Sequence, residues 1–342
     1  MELVVRPRLC LEVLVDGRRR HVSAGDLMTK WFRRWLGYLV FLTPLDLTDT
    51  SGSSFTPSVA SPAGNTAFWD IQAGKDGTSP TESDYKILSP ASYTLDSYSV
   101  IDISETASGI TFGLSKRIKM NETTTLREFG LVGGHGVSGG YMQNKFLVAR
   151  DTGSVPVQSG QLVDIRYTLT LPVPSLTDTS GYTKWFNRAL AHMMTAGGYQ
   201  YYLGNTWLTN WSPQWLYDFA TGTEYKAHYT GPSTCYVEEC RVGTGTTAPA
   251  YDDRAYITEA SSTYCTKSYA TTEATGSLTI ERWEDRTCSS AVTLKEWIVV
   301  GRFFDSNQND RYYVIHRGRN TAGVSIPAGG IARIYFKLVI ST

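Results

Sequence analysis

Apolar and polar residues alternate along residues 162–173 and again along residues 331–341. Val163, Ile165, Tyr167, Leu169 and Leu171 share one face of the first stretch, and Ile334, Phe336, Leu338 and Ile340 one face of the second. A period of two is that of a strand with one buried side. The same alternation runs through Ile110-Thr-Phe-Gly-Leu-Ser-Lys-Arg-Ile118 and Leu278-Thr-Ile-Glu-Arg-Trp-Glu284, and through Leu11-Glu-Val-Leu-Val15, which meets Asp16-Gly17, a two-residue hairpin turn. Two segments have helical spacing instead, residues 28–42 and 182–194, with Ser23 or Asp26 and Thr179 or Ser180 as candidate N-caps. Residues 43–66, rich in Thr, Ser, Pro and Gly, read as a long loop.

These elements recur. Gly74-Lys-Asp-Gly-Thr-Ser-Pro80 returns as Gly243-Thr-Gly-Thr-Thr-Ala-Pro249, each followed by an aspartate, Asp84 or Asp253. Leu126-Arg-Glu-Phe-Gly-Leu-Val-Gly133 returns as Leu294-Lys-Glu-Trp-Ile-Val-Val-Gly301, with Glu128 matching Glu296. Phe146-Leu-Val-Ala-Arg150 pairs with Tyr313-Val-Ile-His-Arg317, and Val155-Pro-Val-Gln-Ser-Gly160 with Val324-Ser-Ile-Pro-Ala-Gly329. Upstream, Thr29-Lys-Trp-Phe-Arg-Arg34 matches Thr183-Lys-Trp-Phe-Asn-Arg188 at a shorter offset, which implies an insertion in the second repeat near the aromatic residues 199–219. The expected fold is mainly β: two tandem antiparallel β-sandwich (jelly-roll-like) units, residues 1–173 and 174–342, each preceded by one short helix.

Composition agrees with short strands and tight turns: 41% apolar, 12% aromatic and 19% charged residues, with 31 Gly. Lys plus Arg and Asp plus Glu both number 32, so the net charge is zero and a nucleic-acid partner, which needs a basic footprint, is not expected. Near-neutrality suits a protein that lives in an assembly. The arginines at 6, 8, 18, 19 and 20 leave no apolar segment for a secretory signal, and Arg33 and Arg34 interrupt residues 31–42, so no membrane insertion is expected. Cys235, Cys240, Cys265 and Cys288 lie in the second repeat, with Cys10 apart; their spacing is compatible with buried thiols, with disulfides or with metal, and at least one pair is expected within bonding reach.

No catalytic motif stands out. Nucleophile elbow, Walker loop and His-Glu-x-x-His are missing from the sequence, and Gly133-Gly-His-Gly-Val-Ser-Gly-Gly140 reads as a hairpin loop. Asp305-Ser-Asn-Gln-Asn-Asp310 resembles the start of a calcium loop but lacks its central Gly and later Glu, so a polar turn is expected. Carboxylates that could form a glycosidase pair occur at Glu238-Glu239, Asp252-Asp253 and Glu281/Glu284. Tyr202, Trp207, Trp211, Trp215 and Tyr217 are the candidate residues for binding a protein partner or a glycan, with core packing as the alternative. No cofactor is implied.

The motif order of each repeat resembles a module in structural proteins of tailed bacteriophages and related archaeal viruses. The likeness rests on residues 243–249, 127–132, 146–150 and 155–160, and the second repeat departs from it at Trp297-Ile298, where the first has Phe129-Gly130. The resemblance implies a non-enzymatic virion component of the tail, fibre or capsid surface, whose partners are copies of itself and other virion proteins. A host-surface adhesin binding glycan is the alternative expectation, and a glycoside hydrolase a distant third.

Overall fold

The computed structural model describes residues 2–24, 28–57, 66–106, 109–138, 141–173, 180–194, 201–203, 206–208, 215–227, 235–250, 253–254, 258–305 and 307–341. The chain starts with β1 (Glu2–Val5), β2 (Arg8–Val15) and β3 (Arg18–Ala24), then α1 (Lys30–Phe41). After the short β4 (Leu47–Thr48) and β5 (Ser54–Phe55) come β6 (Thr66–Gly74), β7 (Tyr93–Thr106), β8 (Gly109–Met120), β9 (Thr124–Ser138), β10 (Tyr141–Val157) and β11 (Leu162–Pro172). The second half has β12 (Ser180–Tyr182) and α2 (Lys184–Met194), followed by β13 (Tyr201–Leu203), β14 (Thr206–Leu208), β15 (Trp215–Asp218) and β16 (Thr223–Lys226). It continues through β17 (Cys235–Gly243), β18 (Ser262–Ala274), β19 (Ser277–Cys288), β20 (Val292–Phe304) and β21 (Asp310–Ile326) to β22 (Ile331–Ser341).

The molecule is mainly β. One sheet has the order β3-β2-β11-β8-β7 and another β10-β9-β6; the strands of the second half form β22-β19-β18, with β1 of the first half added at the β22 edge, and β12-β21-β20-β17. Matched strands therefore hold matched places, and several irregularities match too, although the β7/β8 shift between Ile101 and Ser104 has no counterpart in β18/β19. The β6/β9 register slips between Phe68 and Asp70, and β17/β20 between Val237 and Glu239. The β7/β8 slip between Leu95 and Ser97 corresponds to the β18/β19 slip between Tyr264 and Thr266. A bulge is a local feature that survives only where the surrounding packing requires it, so its recurrence ties the halves together more firmly than strand count does. On β10 the register jumps from Thr152 to Val155, and on β21 from Arg319 to Val324; this longer bulge moves the offset from 167 at Arg150/Arg317 to 169 at Val155/Val324.

Both closing strands bury the predicted stripe: Val163, Ile165, Tyr167, Leu169 and Leu171 are fully buried, and Phe336, Leu338 and Ile340 nearly so. Asp16 and Gly17 both take positive φ, as a type I′ hairpin turn demands. The helix starts differ from expectation. Thr29 is the N-cap of α1, its hydroxyl accepting from the Phe32 N–H, whereas Ser23 lies in β3; Asp26 and Thr179 lie outside the described residues, and Ser180 begins β12. Nor does a helix open each half, because β1–β3 precede α1 and join the sheets. Gly133-Gly-His-Gly-Val-Ser138 is strand and not loop: a Cβ on Gly133 would sit 2.7 Å from the Phe146 ring, and one on Gly301 would sit 2.3 Å from the Tyr313 ring. Glycine there lets a cross-strand aromatic lie over the backbone.

The halves exchange their helices. The N–H of Thr29 donates to Val148 on β10 in its own half, yet the far face of α1 packs on the other: Phe41 meets Phe336 at 5.8 Å, and a Cβ on Gly37 would lie 2.6 Å from Ile280. In mirror fashion the N–H of Thr183 donates to Ile315 on β21, and α2 lies against β6 and β8 of the first half. One main core runs through both sets of strands, with Ile298, Val300 and Val314 forming a small separate cluster. The first residues cross the same seam, since β1 pairs in parallel with β22 and β2 antiparallel with β11.

Candidate functional site

The repeated motifs converge on one buried charge cluster in each half. Arg150, 1% exposed, donates to Glu128 at 3.0 Å, Asp84 at 3.0 Å and Asp76 at 3.3 Å. Glu128 also accepts the N–H groups of Leu88 and Ser89, at 3.0 and 2.7 Å. In the second half Arg317 holds Glu296 at 3.0 Å and Asp253 at 3.2 Å, while the N–H groups of Gly245 and Thr258 complete Glu296. The first motif glycine makes room for the acid: a Cβ on Gly74 would lie 2.3 Å from a Glu128 carboxylate oxygen, and one on Gly243 2.6 Å from Glu296. Each cluster is roofed by its helix, for Trp31 donates its indole N–H to the Asp84 carbonyl at 3.1 Å and Trp185 to Asp253 at 3.0 Å. A buried charge is tolerable only when paired and hydrogen-bonded in this way. With their lone pairs committed, these carboxylates clamp loop, sheet and helix together.

A second buried set distinguishes the halves. Lys116 on β8 reaches Asp70 at 2.8 Å and the Ile71 carbonyl at 2.7 Å on β6. At the matching place on β19 stands Glu284, fully buried, accepting from Arg282, Arg286 and the Cys240 N–H. On the other face, Arg117–Asp164 across β8/β11 becomes Asp285–Arg333 across β19/β22, both 2.7 Å, with the charges exchanged. One carboxylate of each pair considered for hydrolysis is thus engaged in ion pairs, Glu239 with Arg241 and Arg286, Asp253 with Arg317, and Glu284 with Arg282 and Arg286, while Asp252 lies outside the described residues.

The aromatic candidates separate. Tyr217 packs on Trp185 at 5.8 Å with the Arg254 guanidinium 4.8 Å from its ring, so it belongs to the clamp of the second half. Trp215 is 52% exposed and offers its ring to solvent, while its carbonyl accepts from Arg188. Tyr202 and Trp207 are paired through the backbone of β13 and β14, their side chains lying outside the described residues, as does Trp211 altogether. The 305–310 segment is a polar turn: Asp305 accepts the N–H groups of Asn307 and Asn309 and pairs with Arg311 at 2.8 Å. Burial alone would raise the Asp305 pKa, but these donors outweigh it and hold the carboxyl at about 2.

Among the described residues no group of three His, Cys, Asp or Glu side chains is arranged to hold a metal ion. Cys240, Cys265 and Cys288 are free thiols, so the expected bonded pair does not form among these three; the side chain of Cys235, the fourth, lies outside the described residues. Burial pushes the Cys240 thiol up to about 12 and raises that of Cys288, whereas Cys265 is exposed. No helix among the described residues is long and apolar enough to cross a membrane.

Sequence reading overlooked an open groove of about 410 Å³ in the second half, lined by Leu294, Trp297, Val324, Ile326, Ile331 and Tyr335 among others. Its counterpart in the first half is covered by the β2–β3 hairpin. There Leu11, Val13 and Val155 are fully buried and His21 stacks on Phe129 at 6.1 Å, while in the second half Val324 is 51% exposed and Ile331 61%. The signal was present: residues 174–182 are too few to supply the second repeat with an equivalent of hairpin 8–24. No family model, curated protein or solved structure matches the chain.

Proposed function

We propose that the chain is a non-enzymatic structural protein of a virus particle, two tandem antiparallel β-sandwich units locked into one rigid block that packs in a symmetric multi-copy assembly in the tail or fibre apparatus or on the capsid surface. The observation that carries the structural role is the duplicated Arg–Glu–Asp clamp, in which the chain's strongest motifs are spent on holding helix, loop and sheet in place. An exchanged helix on each side adds to the rigidity, which a particle component needs when neighbouring copies load it. The assignment to a virion draws on the resemblance of the repeat motifs. Quantitative mass spectrometry of purified particles from a culture carrying the gene tests it: many copies per particle are expected, and a chain found only in the cell lysate would end the proposal.

The second reading is a host-surface adhesin that binds glycan. It is favoured by Trp215, whose exposed ring is of the kind that stacks on sugar faces. Binding on a glycan array that is lost in Trp211→Ala or Trp215→Ala would favour it over a purely architectural role.

A further inference from the structure

The two halves carry the same groove, and the described residues fill only that of the first. In the first half, β2 lies along β11 from Val163 to Thr170, placing Leu9, Leu11, Val13 and Val15 beside the inward stripe of the closing strand, in one core with the buried Val155 and Val157. In the second half, β1 pairs with β22 only at Lys337–Ile340, and the strand extends beyond it to Ile331. Along that stretch lies the groove described above, with Ile331 and Val324 largely exposed beside Trp297. A sheet edge next to an apolar trough is what strand addition uses: the backbone supplies hydrogen bonds, and the trough takes alternate side chains.

We propose that this groove is a docking site for a β-hairpin arm of a different polypeptide, one strand of which runs antiparallel to β22 along Ile331–Ile334 and carries aliphatic residues at alternate positions. The first half specifies that chemistry, because its own occupant is such a hairpin, with Leu11 and Val13 inward and Glu12 outward to Arg166 at 3.4 Å. A second copy of this chain is a poorer donor, since its aliphatic hairpin 8–24 is already built into its own first half. The inference rests on the two halves being equivalent and not on their location in a particle, so it stands or falls apart from the virion assignment.

The test uses the full chain and a labelled synthetic peptide of residues 8–24 with Cys10→Ser as probe. Saturable binding by fluorescence anisotropy is expected, with slowed hydrogen exchange at 331–334. Ile331→Lys and Val324→Glu, both at exposed positions, should weaken it about tenfold or more while leaving the melting temperature unchanged. Failure of the peptide to bind, or binding that neither variant weakens, overturns the site. Sedimentation that shows the unliganded chain dimerising, with Ile331→Lys returning it to monomer, overturns the choice of partner, for the groove would then be taken by a second copy.

Discussion

Arg34 on α1 pairs with Glu273 on β18, Nη2 to Oε2 2.6 Å, across the seam between the two halves of the chain. Arg188 on α2 pairs with Glu105 on β7 at 2.7 Å in the opposite sense, and each residue of one pair occupies the repeat position of its counterpart in the other. This reciprocity is that of a two-fold dimer whose subunits have traded helices, here written into one polypeptide. Glu82 reinforces it by joining Arg33 of α1 at 2.5 Å to the Gly276 N–H in the β18–β19 turn at 2.9 Å.

It follows that residues 1–173 and 174–342 are not independent folding units. Expressed alone, each fragment leaves the apolar face of its helix and the matching sheet face uncovered, and each large side chain exposed forfeits roughly 1.5–3 kcal/mol. Neither fragment should show a cooperative urea transition by itself, and co-expression should recover a one-to-one complex. A lone fragment that unfolds cooperatively with the stability of the intact chain would contradict the exchange.

The clamps should dominate stability. Glu128→Gln strips Arg150 of the fully buried one of its three carboxylate partners and should cost up to about 3–5 kcal/mol in urea unfolding, the upper end applying if Asp76 and Asp84 do not compensate the buried guanidinium. Glu296→Gln should cost a similar amount through Arg317. Gly74→Ala should be comparably harmful, because the added methyl would collide with the Glu128 carboxylate.

His316 supplies a pH dependence. It is 1% exposed and packed near Phe336, and burial lowers its pKa from 6.5 to about 3. Below about 6.5 the unfolded chain takes up a proton that the native chain refuses, so stability falls as pH drops from about 6.5 towards 3. In His316→Gln that part of the acid limb should flatten. Urea midpoints for both proteins at pH 7, 5.5 and 4.5 decide it, and parallel curves would show that His316 plays no part.

Thiol reactivity should follow burial. Under native conditions iodoacetamide should modify Cys265 readily, while Cys240 and Cys288 react only after unfolding, because a desolvated thiol keeps its proton. Peptide mapping with and without denaturant reads this directly.

Much of the architecture was legible in the sequence for identifiable reasons. The period-two stripes of β11 and β22 and the 168-residue offset between Glu128 and Glu296 report local geometry and duplication, and both survive into the fold. The meaning of Gly74, Asp76, Asp84, Glu128 and Arg150 as one cluster was not legible, because the contacts join residues up to 74 apart in sequence. The helix exchange was hidden for the same reason: Arg34 and Glu273 are 239 residues apart, and an amphipathic pattern says that a face is buried without saying against what. The fate of Trp215 and Tyr217 likewise depended on where α2 lies, which their spacing does not encode.

The exchanged charges at the β8/β11 and β19/β22 crossings make the second half a ready-made double variant of the first. Arg117 faces Asp164 in one and Asp285 faces Arg333 in the other, in the same cross-strand register. The arginine of each pair lies towards solvent, Arg117 at 45% and Arg333 at 64% side-chain exposure, over an aspartate that is largely covered, so each pair is worth about 1 kcal/mol. The single change Asp164→Arg sets two guanidinium groups opposite each other and should destabilise by more than the loss of the pair alone, since like charges directly across strands repel. Adding Arg117→Asp restores opposition of charge in the order that the second half already uses, and should return most of the lost stability. A double-mutant cycle in urea at low and high salt measures the coupling; the recovery should shrink with added salt, as screening of an exposed pair requires. A double variant no more stable than Asp164→Arg would mean that the flanking residues, and not the charge pair, set the pairing of these strands.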